Sequence, residues 1–172
     1  MDLSKLFEMQ RELDERIVRE KGLEGQNLLP NKILALQVEL AELANEWQGF
    51  KHWKTNRQPK EGMLEEYVDC LHFVLSIGLE LKEDVTKYNY YAWDPYRNIV
   101  TLMLEIIHEI NMVLREYDPH EQSLVYVMMF CEFIALGEAL GFTWDEVEAA
   151  YMRKNAVNHH RQIWMQRIGW KN

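Results

Sequence analysis

The chain has 172 residues, 48% of them apolar and 27% charged, a length and balance that suit a single domain (1–172) with its own core and exclude a solenoid or a largely disordered protein. A net charge of −9 excludes a broad grip on nucleic-acid backbone, which needs many Lys and Arg against phosphates, so no polymeric nucleic acid is expected as a partner. A small anionic substrate stays open if a cation mediates.

The first residues, "MDLSKLFEMQRELDERIV", carry acids and helical periodicity, not the basic start and apolar run of a secretion signal. The most apolar stretches, 71–81 and 125–140, are interrupted by His72, Glu80, Glu132 and Glu138, so no membrane span is expected and the reading is cytoplasmic. In that setting Cys70 and Cys131, both inside apolar helical patterns, read as free core thiols.

In chain order, Leu3, Leu6, Phe7, Met9, Leu13 and Ile17 recur at helical spacing and predict a first helix from Leu3 to about Lys21, stopped by Gly22. Pro30 suits the first turn of a second, in which Ile33, Leu36, Leu40, Leu43 and Trp47 continue to Gly49. "TNRQPKEG" is a loop. A third helix is expected from about Lys60 to Asp84, burying Tyr67, Leu71, Val74 and Leu75. The aromatic connection "YNYYAWDP" then leads to a fourth, from about Pro95 to Glu116, with Asp94 as its cap. A fifth spans Pro119 to Ala139 and is closed by Gly141. Thr143 with Glu146 three residues on makes a capping box for a sixth, reaching about Trp164. No alternating strand pattern competes, so the fold is all-α: about six helices joined by short connections, a helical bundle whose four-helix core can carry polar chemistry inside.

That polar chemistry is suggested by the acids. Glu39 and Glu42 lie three apart on the second helix, Glu66 and Asp69 three apart on the third, and each pair borders the apolar stripe. Two such pairs on consecutive helices can meet across a bundle, where unpaired carboxylates would repel unless divalent cations joined them. Oxygen-only ligands favour Mg²⁺, with Mn²⁺ as a substitute. Spacing alone leaves a second reading equally open, namely two solvated acidic faces.

Four segments, "LFEMQRELDERI", "ELAELANEWQGFKHWK", "EEYVDCLHF" and "YMRKNAVNHHRQ", resemble in order those of the dimeric all-α dUTPases, a branch of the all-α nucleoside triphosphate pyrophosphatases, from about Leu3 to Gln162. The resemblance implies a Mg²⁺-dependent enzyme that attacks dUTP, and with it dUDP, with an activated water to give dUMP. It assigns the metal ligands to Glu39, Glu42, Glu66 and Asp69, and leaves Glu42 or Glu39 to orient or deprotonate the water. By the same resemblance Gln10, Asp14, Trp53 and His72 belong to nucleoside recognition, Asp14 standing where relatives commonly have Asn. Lys54, Tyr151, Lys154, Asn155, Asn158 and Arg161 fall to the phosphate side; Lys154, Asn158 and Arg161 share one helical face. Exposed apolar helix faces and the resemblance together imply a homodimer whose subunits share the site. Two other readings keep the fold: a broader or dCTP-acting pyrophosphatase, and a non-catalytic helical interaction or regulatory domain with a degenerate site.

Overall fold

The computed structural model describes residues 3–83 and 97–167, with side chains described to 162. The described residues form six α-helices: α1 (Leu3–Lys21), α2 (Leu29–Trp47), α3 (Met63–Glu80), α4 (Ile99–Arg115), α5 (Pro119–Ala139) and α6 (Trp144–Arg167). The described residues contain no strand. The aromatic connection and the Asp94 cap lie outside the described residues.

The helix ends follow local chemistry. Thr143 and Glu146 form the reciprocal capping box, the Thr143 hydroxyl donating to Glu146 Oε2 at 2.7 Å and the Glu146 amide pointing back to Thr143 Oγ1 at 3.4 Å. Asp118 caps α5 ahead of Pro119 by accepting from the amides of His120 and Glu121. Asn98 does the same for α4, which therefore starts at Ile99 and not near Pro95. At the end of α2 the expectation of a glycine stop is off by one residue: Gln48, not Gly49, takes the left-handed conformation, at φ 62°. The third helix is shorter than expected at both ends, because residues up to Gly62 stay in the loop, where Lys60 pairs with Glu46.

α3 is the centre of the molecule. It packs against α1, α2, α5 and α6, while α4 lies outside on α5 and α2. Its buried residues include Tyr67, Leu71, Val74 and Leu75 on several faces, as its near-continuous apolar run requires. α5 is long and apolar enough to cross a membrane, yet Met129 to Gly137 are all buried inside the bundle, where an all-round apolar helix belongs. Cys70 and Cys131 are both buried and form no disulfide, as expected.

Two tyrosines lock α3 to α5. Tyr67 lies over Gly137 and donates its hydroxyl to the Phe133 carbonyl at 3.0 Å, and Tyr126 lies over Gly78 and donates to the Val74 carbonyl at 3.1 Å. The reciprocal pairing shows that the two helices run antiparallel. Each ring needs the missing Cβ opposite it, and each buried hydroxyl needs its carbonyl. Gly137→Ala should therefore destabilise the fold by about 1–3 kcal/mol through overpacking against Tyr67, despite the roughly 1 kcal/mol that Ala gains over Gly in a helix. Urea unfolding of the variant checks this, and a variant as stable as wild type would remove the lock from the account.

Candidate active site

α2 and α3 lie side by side in opposite directions, with Lys32 opposite Ser76 and Glu80 at one end and Glu46 opposite Gly62 at the other. This register brings the two acidic pairs to the same level. Carboxylate oxygens of Glu39, Glu42 and Glu66 all lie within 4.8 Å of one another. Asp69, one turn along α3 from Glu66, accepts from Lys154 Nζ of α6 at 2.6 Å. The two acidic pairs thus face each other, with Glu42 still exposed.

Their charges are felt. Partial burial, then the neighbouring charges of Asp69, Glu42 and Glu66, push the Glu39 carboxyl up to about 7, with Lys154 opposing. Glu66 is raised as well, by burial first and then by Asp69 and Glu42. One lysine on Asp69 does not neutralise four acids.

Beside the acids opens a cleft of about 370 Å³ between α1, α2, α3 and α6. Gln10 and Asp14 of α1, Glu39 of α2, and Asp69 and His72 of α3 form three of its walls. α6 supplies Lys154, Asn158 and Arg161 on the fourth, the shared helical face read from their spacing. Tyr151 and Asn155 are buried behind that wall; the Tyr151 ring stacks on His72 at 4.3 Å and its hydroxyl donates to Gln10 Oε1 at 2.9 Å. Burial, aided by the Lys154 charge, lowers His72 to about 3, so its imidazole is neutral at any physiological pH.

Two expected residues are not brought to the cleft. Trp53 is 64% exposed in the loop after α2, edge-on to Phe50 and His52, and Lys54 donates to Gln48 Oε1 in the same loop. The cleft also has walls that the sequence reading missed. Leu13, Ile17 and Phe73 make its apolar side and Ser76 its far polar end; of these only Ser76 left a trace, one turn beyond His72 on the buried face. Lys32, which holds Asp14 at 3.1 Å and Glu80 at 2.7 Å, reads in sequence as an ordinary first-turn lysine.

An all-α bundle that sets two acidic pairs against each other beside a cleft walled by cationic and amide donors defines an all-α nucleotide pyrophosphohydrolase. The chain belongs to the dUTPase family, whose model (dUTPase_2) matches residues 2–164, and is a dUTP pyrophosphohydrolase acting on a deoxyuridine nucleotide. No curated protein matches it.

The donor set fits the hard divalent cation such chemistry implies. It offers carboxylate oxygens only, close enough to share an ion, and two of them, Glu39 and Glu66, are raised first by burial and then by neighbouring acids whose charge a cation would offset. Because Glu39 titrates near 7 without a cation, Mg²⁺ binding should displace a proton from it. Release should be largest below pH 7 and fade above pH 8, and apparent affinity should weaken as pH falls through 7. Calorimetry in buffers of different ionisation enthalpy measures this; proton release that does not change across that range would contradict it.

Proposed function

We propose that this protein hydrolyses dUTP to dUMP and pyrophosphate, and dUDP to dUMP and phosphate, in a Mg²⁺-dependent reaction. The observation that carries the reading is the convergence of Glu39, Glu42 and Glu66 at one point, with Asp69 on the next turn. Mg²⁺ held by these four residues, or Mn²⁺ in its place, would neutralise phosphate charge and acidify water.

The chain's own groups do the rest. Glu42, the most exposed of the three converging acids, orients or deprotonates the attacking water, with Glu39 as the alternative. Arg161, Asn158 and Lys154 hold the polyphosphate through cationic and amide donors on one wall. The deoxyuridine lies towards Gln10 and His72, against the apolar side made by Leu13, Ile17 and Phe73. Water is excluded there by the same apolar side chains.

A homodimer is part of the proposal. Leu34 and Val38 of α2 and Leu104 and Ile107 of α4 are exposed, and between these helices runs an apolar groove walled by Leu40, Ala41, Ala44 and Met103. Such a face suits a second copy of the chain, and sedimentation at micromolar concentration should show twice the chain mass. A cytoplasmic location accords with the same reading.

Glu42→Gln should lower turnover by about 10²–10⁴-fold while the helical circular-dichroism signal is unchanged. A pyrophosphate-release panel over dUTP, dTTP, dCTP and dUDP with and without Mg²⁺ tests the whole reading. Equal turnover of dCTP would move the substrate to the broader class, and no release from any nucleotide would leave the degenerate, non-catalytic reading.

A further inference from the structure

A chain of hydrogen bonds runs from the back of the cleft to its wall, and every link has only one possible direction. Lys32 Nζ, which can only donate, lies 3.1 Å from Asp14 Oδ2, and Ser76 Oγ donates to the same oxygen. Asp14 Oδ1 is 2.7 Å from Gln10 Nε2, and as a carboxylate it can only accept, so the amide must turn its NH₂ group that way. The amide oxygen then faces Tyr151 Oη at 2.9 Å and His72 Nδ1 at 2.7 Å. Both lone pairs of that oxygen are used, and His72 must carry its proton on Nδ1 to donate to it.

The remaining ring nitrogen is therefore a bare acceptor. His72 Nε2 is buried and has no partner among the described residues, although His72 lines the cleft, and a buried polar atom left in this state calls for a ligand donor. Nothing else in the network forbids the opposite arrangement. With Gln10 reversed, Tyr151 could donate to the Leu6 carbonyl, 3.5 Å away, and His72 could accept at Nδ1 and present an N–H to the cleft. Only Asp14 excludes this, since the amide oxygen would then face a carboxylate oxygen.

We propose that Asp14 does not touch the base but is a positioning residue: held by Lys32 and Ser76, it fixes the Gln10 amide and through it the His72 tautomer, so that the cleft wall selects a base carrying a ring N–H. The proposal rests on the dUTP reading and refines it. The N3–H of uracil meets a lone pair at His72 Nε2, whereas cytosine would set its own N3 lone pair against it. Gln10, with its oxygen spent on Tyr151 and His72, contributes only its second N–H, to a base carbonyl. Lys32 lies outside the cleft and reaches the Gln10 amide through Asp14, while its second carboxylate partner is Glu80.

The test follows the ring nitrogens of His72 by ¹⁵N NMR alongside base preference. In wild type Nδ1 should carry the proton and Nε2 show the shift of an unprotonated nitrogen. In Asp14→Asn, whose amide can face Gln10 either way, the proton should distribute over both nitrogens. The KM for dUTP should rise about tenfold with kcat within about threefold, and the preference for dUTP over dCTP should fall by a similar factor. Lys32→Arg, still a pure donor, should keep the wild-type ring and preference. The proposal is overturned by a wild-type ring protonated at Nε2. It is equally overturned if Asp14→Asn raises the KM while the ring stays as in wild type, which would return Asp14 to direct base contact, or if the ring changes with no change in preference. A wild-type protein that does not turn over dUTP would refute the substrate reading instead, and the wild-type ring would still decide the relay.

Discussion

Everything at the site depends on holding like charges together. Glu39, Glu42 and Glu66 meet within 4.8 Å because α2 and α3 are packed in one register, and Glu39 is raised to about 7 by its partial burial first and then by the charges of Asp69, Glu42 and Glu66. A slip of one turn along either helix would carry the acids apart and relieve the repulsion. The fold must therefore resist that slip. The Lys32 contacts at one end of the helix pair and the Glu46 contacts at the other hold it from both sides.

The rest of the bundle supports that arrangement. α3 carries half of the acids and sits at the centre, where α5 grips it through the Tyr67–Gly137 and Tyr126–Gly78 contacts. With α3 fixed, α1 and α6 close the cleft: α1 brings Gln10 and Asp14, and α6 brings the basic face. Lys154 lies on Asp69 and lines the cleft at once.

How much of this the sequence disclosed varies with the physics involved. Helix identities and most ends were legible because periodicity and capping are local, as Thr143 with Glu146 and Pro119 show. The acidic pairs were legible as pairs, but from spacing their meeting was only one of two open readings, which the family resemblance favoured, because spacing along one helix says nothing about which way its neighbour faces. Trp53 and Lys54 illustrate the limit: the family resemblance placed Trp53 at the nucleoside and Lys54 on the phosphate side, but their loop keeps both off the cleft walls. Lys32 and Ser76 were missed for the opposite reason. Their part comes entirely from contacts across 18 and 62 positions of chain, to Asp14, which no local pattern encodes.

On the proposed reading, α2 and α3 turn their carboxylates towards one another to hold a divalent cation. Manganese titration followed by the electron paramagnetic resonance of free Mn²⁺ tests it without substrate or turnover. Wild type should remove the free-ion signal saturably, and Glu39→Gln or Glu66→Gln, with fold intact, should weaken binding by about tenfold or more. A wild-type protein that leaves the free signal untouched, or variants that bind as tightly as wild type, would contradict the account.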